Sequence, residues 1–420
     1  MGVEKLVVIG QGYVGLPLAM RAVEAGFDVV GLDLDESRVK QLAAGESFVE
    51  DISAARLSRA LSTGRYHLTT EYADAAGFDF CVITVPTPLR DGTPDLSYIE
   101  QAGVAVGPYV RSGCTVILES TTYPGTTEEL LRGRLESASG LQSPGDFHLG
   151  YSPERIDPGN PTWRLENTPK VVSGVDAAAL ARVDGFYRRI VERTVPVDST
   201  RVAELTKLIE NTFRQVNIAL INELAVLSHE LGIDVWQAID AAATKPFGFM
   251  SFRPGPGVGG HCLPIDPCYL SWQVKRTLGR QFRFVELAND VNHEMPEHVV
   301  QRIMAGLNRR SRPVNKSRLL LLGLAYKKNT GDMRDSPAID IARRLQLLGA
   351  EVRAVEPYAE PHHVPDGVAI VDLTERELRA ADAVVVVTDH DGLDYGLVAR
   401  TAGYIFDARN RCHGDNVERL

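Results

Sequence analysis

The stretch Lys5-Leu6-Val7-Val8-Ile9-Gly10-Gln11-Gly12-Tyr13-Val14-Gly15 decides the fold of the first half of the chain. A strand-sized apolar run ends on a glycine turn, and Leu16 to Ala25 then repeats at helical spacing. In that context, G-x-G-x-x-G is a dinucleotide fingerprint. Gly10 allows the tight turn, Gly12 lets the backbone approach a pyrophosphate at the helix N-terminus, and Gly15 lets helix and strand pack closely. Tyr13 and Val14, inside the turn, count as cofactor contacts as well. Asp33, closing the next β-rich run, would accept hydrogen bonds from ribose hydroxyls and repel a 2′-phosphate. NAD is therefore expected rather than NADP, with Arg38 as the nearby cation that would favour the opposite. A purely structural glycine turn is the alternative.

Outward from this turn, Asp28–Asp33, Asp79–Val85, Thr115–Thr121 and Lys170–Val175 are β-rich, and amphipathic stretches such as Leu16–Ala25 and Tyr98–Val106 lie between strands. That alternation predicts βαβ units on a parallel sheet. From Arg201 to Leu231 there is no Gly or Pro, and apolar residues recur at helical spacing, so one long helix is expected, ending near Gly232. A second helix covers Asp234–Thr244, a Gly/Pro-rich loop covers Lys245–Pro267, and further helix reaches about Arg310. Alternation returns in Arg318–Tyr326, Glu351–Glu356, Ala383–Thr388 and Tyr404–Asp407. The fold class is α/β: two Rossmann-like doubly wound domains joined by a long central helix and a helical region. The boundaries are 1–200, 201–310 and 311–420.

The loop Gly255-Pro256-Gly257-Val258-Gly259-Gly260-His261-Cys262-Leu263-Pro264-Ile265-Asp266 surrounds one thiol with glycines, which lets a ligand approach closely. Asp266 reaches the same space if the chain turns helical after Pro264. A nucleophilic thiol needs a helix N-terminus or a nearby cation, such as His261 or a lysine. The alternatives are an inert buried thiol, Cys268 as the nucleophile, and a zinc site from His261, Cys262 and Cys268, whose spacing fits no common zinc pattern. No metal is expected. Lys207 and Asn211 share a helix face. Glu154 and Arg155 follow a strand, as does the Ser120–Thr127 loop with Thr121, where doubly wound sheets bind ligands. Each of these is equally readable as a surface or capping residue. Lys327, Lys328 and Arg334 follow the first strand of the second α/β domain, as either a phosphate site or a solvated basic loop.

Composition narrows the classes. The 420 residues are 44% hydrophobic and 24% charged, as in ordinary globular chains. A net charge of -10 argues against nucleic acid or an anionic membrane as the main partner. The N-terminal residues do not read as a signal peptide, and the longest clean apolar run, Leu319–Leu322, is far short of a membrane helix. Five scattered cysteines suggest a reduced, cytoplasmic protein.

Seven segments together resemble the UDP-glucose/GDP-mannose dehydrogenase family end to end. They are GQGYVGLPLA (Gly10–Ala19), VPTPL (Val85–Leu89), ESTTYPGTT (Glu119–Thr127), YSPERIDPGN (Tyr151–Asn160), ELTKLIENTFRQVNIALINE (Glu204–Glu223), GPGVGGHCLPIDPCYL (Gly255–Leu270) and GLAYKKNTGDMRDSP (Gly323–Pro337). His261, PIDP and SPERIDPGN look most like the UDP-N-acetylhexosamine 6-dehydrogenase branch; members acting on UDP- or dTDP-glucose share these motifs, so the sugar stays open. The resemblance implies a four-electron, NAD-dependent oxidation of C6 of a nucleotide-sugar to the uronic acid, and a homodimer or higher homo-oligomer. It implies Cys262 as nucleophile, Lys207, Asn211 and Asp266 around it, and Thr121 and Glu154 placing water or protons. It implies Lys327 on the substrate phosphates, Arg155 and Gly259 against the substrate, and Thr87 and Arg334 against the cofactor. Two rivals stand beside this reading. One is a two-electron dehydrogenase of the 6-phosphogluconate or hydroxyisobutyrate type. The other is a non-catalytic nucleotide-sugar binding protein.

Overall fold

A computed structural model of the chain describes residues 2–49, 51–90, 92–157, 160, 162–260, 263–359 and 364–420. The chain divides into two compact units, residues 1–210 with 268–278, and residues 211–267 with 279–420.

In the first unit the order is β1 (Lys5–Ile9), α1 (Gly15–Glu24), β2 (Asp28–Leu32), α2 (Glu36–Ala43), α3 (Ala54–Ser62), β3 (Tyr66–Thr69) and β4 (Phe80–Ile83). The small antiparallel hairpin β5 (Leu89–Arg90) and β6 (Thr93–Pro94) follows, then α4 (Ser97–Val106), β7 (Thr115–Leu118), α5 (Arg132–Ser139), β8 (His148–Tyr151), β9 (Lys170–Gly174), α6 (Ala177–Tyr187) and β10 (Thr194–Pro196). Among the described residues the main sheet has the order β10-β9-β8-β7-β4-β1-β2-β3. From β3 to β8 it is parallel, with chain order reversing between β1 and β4. Ligands of doubly wound sheets bind at such a reversal, beyond the C-terminal strand ends. Parallel strands buried on both faces are apolar throughout. Here Leu6 and Val8 of β1 enter one core cluster and Val7 and Ile9 enter the other. The run at Lys170 enters antiparallel to β8, a departure from the all-parallel expectation. Gly150 permits this contact, because a Cβ there would lie 2.5 Å from the Ser173 carbonyl oxygen.

The helices α7 (Thr200–Glu230), α8 (Val235–Ala243), α9 (Asp266–Leu278) and α10 (Arg283–Arg309) form the central stretch. α7 stops where the sequence predicts: Gly232 has φ +68°, and the Ile233 amide bonds back to the Ser228 carbonyl. Asp234 caps α8 at the Gln237 amide.

The second sheet is built from β11 (Arg318–Leu322), α11 (Pro337–Leu347), β12 (Glu351–Val355), β13 (Ala369–Ile370), α12 (Glu375–Ala380), β14 (Ala383–Val386), α13 (Tyr395–Thr401), β15 (Ile405–Asp407) and β16 (Val417–Arg419). Its order is β13-β12-β11-β14-β15-β16, and every pair is parallel. Leu319 and Leu321 face one core cluster, and Leu320 and Leu322 the other. No helix among the described residues is long and apolar enough to cross a membrane.

Candidate active site

The glycine turn of the first unit is held by its own packing. Gly10 has φ +95°, and its amide bonds to the Leu32 carbonyl at 2.8 Å. A Cβ on Gly15 would sit 1.8 Å from the Gly10 carbonyl oxygen, so no side chain fits. At Gly12 a Cβ would meet nothing within 4 Å, leaving the open side a pyrophosphate needs. Tyr13 packs edge-on against Phe48, and Thr87 is half-buried in the loop after β4. Asp33 is buried: Oδ2 accepts the Gln11 amide at 2.7 Å and Arg38 Nη1 at 2.9 Å, and Oδ1 accepts the Asp35 amide at 3.0 Å. A carboxylate has roughly four acceptor positions, so three protein donors leave room for a ribose hydroxyl. Arg38, the cation that spoke for NADP, is an ion-pair partner of Asp33 here. These residues fit a dinucleotide, with the pyrophosphate at Gly12 and the adenosine ribose at Asp33.

The loops beyond β7 and β8, also in the first unit, carry Thr121, Glu154 and Arg155. Thr121 is half-buried beside a hydroxyl pair, Thr122 to Thr126 at 2.6 Å. This loop is anchored by Glu204 of α7, which accepts the Gly125 amide at 2.5 Å, the Thr127 amide at 2.9 Å and the Thr127 hydroxyl at 2.7 Å. Burial raises the Glu204 carboxyl to about 7 despite these donors. Glu154 Oε1 accepts the amides of Arg155 and Ile156 at 2.6 Å, and Oε2 accepts Lys170 Nζ at 2.9 Å. Burial favours the neutral acid, but the charge and hydrogen bond of Lys170, the Ile156 amide and the charge of Lys207 outweigh it, holding Glu154 below the usual carboxylate range. Lys207 of α7 is itself buried. Arg155 turns to Glu210 at 2.7 Å and to the Pro169 carbonyl at 2.6 Å.

In the second unit, Asn211 Nδ2 donates to Asp266 Oδ2 at 2.5 Å, and Asp266 is buried at the head of α9. The glycine loop is stitched to the loop after β11, with the Gly260 amide on the Arg334 carbonyl at 3.2 Å. A Cβ on Gly259 would lie 2.4 Å from the Asp335 carbonyl oxygen, so here the glycine answers to packing of the chain on itself. Lys327 is half-buried, its Nζ 5.8 Å from the Tyr326 ring centre. Arg334 grips Asp332 with both Nε and Nη2, at 2.8 and 2.6 Å. His261 and Cys262, and with them the nucleophile and the zinc alternative, lie outside the described residues. Among the described cysteines, burial pushes Cys81, Cys114 and Cys412 up, Cys412 to about 12, so these thiols are poor nucleophiles.

The structure thus brings Glu154 near Lys207, and Asn211 onto Asp266. Sequence reasoning missed Lys170, Glu119 and Tyr187 around Glu154, and Glu204 under the Thr121 loop. Glu119 and Glu204 stood inside two of the quoted segments, but only three-dimensional pairing reveals their partners. It also missed Glu356 and His390, both with fully buried side chains and joined at 2.9 Å. Glu356 Oε2 accepts the Leu324 and Ala325 amides, and His390 Nδ1 accepts the Asn329 amide at 3.0 Å, which leaves Nε2 to face Glu356. This pair fixes the loop that carries Lys327.

Three family models cover most of the chain, all from the UDP-glucose/GDP-mannose dehydrogenase family. The NAD binding domain matches residues 4–191, the central domain residues 201–294, and the UDP binding domain residues 320–414. The chain is 36% identical to UDP-N-acetyl-D-mannosamine dehydrogenase of Pyrococcus horikoshii, over 92% of its own length and 89% of the relative's. It is 37% identical to UDP-N-acetyl-D-glucosamine 6-dehydrogenase of Pseudomonas aeruginosa, over 92% and 90%. The solved structure of the Pyrococcus horikoshii UDP-D-ManNAc dehydrogenase matches with a TM-score of 0.90 at 34% identity, covering 99% of both chains. A UDP-glucose dehydrogenase from Pyrobaculum islandicum matches at 0.87 and 29% identity, covering 100% of this chain and 97% of that one. The glycine turn open at Gly12, the buried Asp33 and these end-to-end matches agree: the chain belongs to the UDP-glucose/GDP-mannose dehydrogenase family and is an NAD-dependent oxidoreductase of nucleotide-sugars.

Proposed function

We propose that this enzyme oxidises C6 of a UDP-N-acetylhexosamine to the uronic acid, with UDP- or dTDP-glucose as the second candidate substrates. The observation that carries the reading is the Asn211–Asp266 hydrogen bond, which joins α7 to the residue closing the cysteine loop. The names of the relatives above support the N-acetylated sugar. Bound NAD supplies the two-electron acceptor for each of two oxidations, held by Gly10, Gly12, Tyr13, Val14, Gly15, Asp33, Arg38, Thr87, Thr121 and Arg334.

The protein's own groups do the rest. Lys207 and Asn211 stabilise negative charge on the C6 oxygen; losing one such donor typically costs about 10²–10³ in rate. Cys262 adds to the C6 aldehyde to give a thiohemiacetal and is later the leaving group of a thioester that water hydrolyses. Asp266 holds water beside Asn211. Glu154, kept ionised, takes a proton from the hydrolytic water, and Thr121 orients that water. Lys327 neutralises the substrate phosphates, while Arg155 and Gly259 shape the sugar end. The working division is residues 1–200 for NAD, 201–310 for the helical region with the cysteine loop, and 311–420 for the nucleotide. Exposed Phe213, Leu220, Leu224, Leu227 and Leu231 on and just after α7 support a homodimer, which light scattering would register as twice the chain mass. The scattered cysteines support a cytoplasmic location, which cell fractionation checks.

The test is NADH counted per sugar over a panel of UDP-GlcNAc, UDP-ManNAc, UDP-glucose and dTDP-glucose. Two NADH per sugar is expected. One would indicate a two-electron dehydrogenase, and none across the panel a binding protein. Cys262→Ser is expected to lose four-electron turnover while still binding substrate; full turnover in that variant overturns the assignment of the nucleophile.

A further inference from the structure

Resting on the reading of Glu154 as a proton acceptor, we propose that Lys170 is its positioning residue, a buried ammonium that holds Glu154 as an oriented carboxylate from inside the protein. Lys170 opens β9, and only 3% of its side chain is exposed. Its Nζ lies 2.9 Å from Glu154 Oε2 and 3.1 Å from Glu119 Oε1. The Tyr187 hydroxyl donates to that same Glu119 oxygen, and the ammonium stands 5.3 Å from the Tyr187 ring centre. Three segments distant in sequence thus converge on one cation of β9: the ends of β7 and β8, and α6.

A buried ion pair is weak evidence for stability, because well-packed apolar groups often serve as well. This cluster has a feature that stability does not explain. Glu154 is gripped at both oxygens, by two backbone amides on Oε1 and by Lys170 on Oε2, whereas Glu119 Oε2 is buried with no partner among the described residues. The cation is shared unequally in effect. Glu154 is held below the usual carboxylate range, whereas burial pushes Glu119 up. The charged groups facing Glu154 are Lys170 from β9, Glu119 beyond β7 and Lys207 from α7; Arg155 of its own segment is turned to Glu210. Lys170 is the only one of these cations in contact with both carboxylates among the described residues.

The test compares Lys170→Gln, which keeps a donor but drops the charge, with Lys170→Arg, which keeps the charge. Using UDP-GlcNAc and NAD, or whichever sugar of the panel is turned over, the acid limb of the kcat/KM profile is followed with pH. Removing an opposite charge in contact with a carboxylate should move that limb up by about one to three pH units. Lys170→Arg should move it back toward the parent, with the KM for NAD unchanged in both. An acid limb that stays in place in Lys170→Gln overturns the proposal. If Lys170→Gln does not fold, infrared difference titration of the parent against Glu154→Gln decides: protonation of Glu154 below the ordinary glutamate range supports the clamp, and protonation in or above that range overturns it. Should Glu154→Gln retain full turnover, the proton-acceptor role fails, while the infrared titration still judges the clamp independently.

Discussion

The two doubly wound sheets solve one problem twice and finish it differently. In the first unit, Gly10 (φ +95°) ends β1, its amide on the Leu32 carbonyl, and Asp33 beyond β2 accepts the Gln11 amide. In the second, Gly323 (φ +85°) ends β11, its amide on the Val355 carbonyl, and Glu356 beyond β12 accepts the Leu324 and Ala325 amides. Even the supporting threonines correspond: Thr84 donates to the Gly10 carbonyl and Thr388 to the Ala325 carbonyl. The difference lies in the last contact. Asp33 keeps an acceptor position for a ribose, whereas His390 closes over Glu356 and both side chains are fully buried. The chain after Gly323 then runs to Pro337 before a helix begins, so no helix N-terminus stands behind that turn. The same strand–turn–carboxylate unit has room for a nucleotide when left open and is a loop anchor when sealed.

The comparison can be broken most forcefully at the glycines. Gly15→Ala would put a Cβ 1.8 Å from a carbonyl oxygen, and Gly323→Ala one 2.4 Å from Thr388. Both should destabilise by about 1–3 kcal/mol or more, read by urea unfolding. Only Gly15→Ala should also abolish NAD binding by calorimetry; loss of NAD binding in Gly323→Ala would contradict the sealed role of the second turn. A smaller effect is expected of His390→Ala, which takes one of three donors from Glu356 Oε2 and the acceptor from the Asn329 amide, at about 1 kcal/mol. Its NAD affinity should stay unchanged, while nucleotide-sugar affinity falls through the loosened Lys327 loop.

The smallest effect is a difference in pH response. Burial raises Glu204, so its contribution is complete below the ordinary glutamate range and fades as pH rises through about 7. For Glu356, burial opposes ionisation, but the His390 hydrogen bond and the Leu324 amide outweigh it and hold the carboxyl below its usual range. Its contribution is complete above that range and fades as pH falls through the lowered value. Against the parent, Glu204→Gln should therefore flatten the stability profile between about pH 4.5 and 7, and Glu356→Gln the profile below the glutamate range. Urea midpoints across pH 4 to 8 check both, and the same slope in both variants would erase the distinction.

Much of the fold was legible because it is written locally. The turn Gly10–Gly15, the uninterrupted α7 and the apolar strands β1, β4, β7 and β11 each carry their period within one short segment. The strands β3, β10, β13 and β16 were not read, being short; β8 was read only as the strand before Glu154, without the reason for its Gly150, which is the approach of β9. At the site, residue types and spacing singled out Glu154, Lys207, Asn211 and Asp266, but not what each touches.

By itself the sequence determined the two βαβ lobes, the helix between them and a dinucleotide turn, since these depend on backbone freedom and periodicity within a dozen residues. Tertiary structure alone decided that Lys170 stands between Glu119 and Glu154, and that His390 seals Glu356. Those contacts join residues 16 to 51 positions apart, and the charge each group carries depends on how far burial there outweighs its partners, which no spacing records.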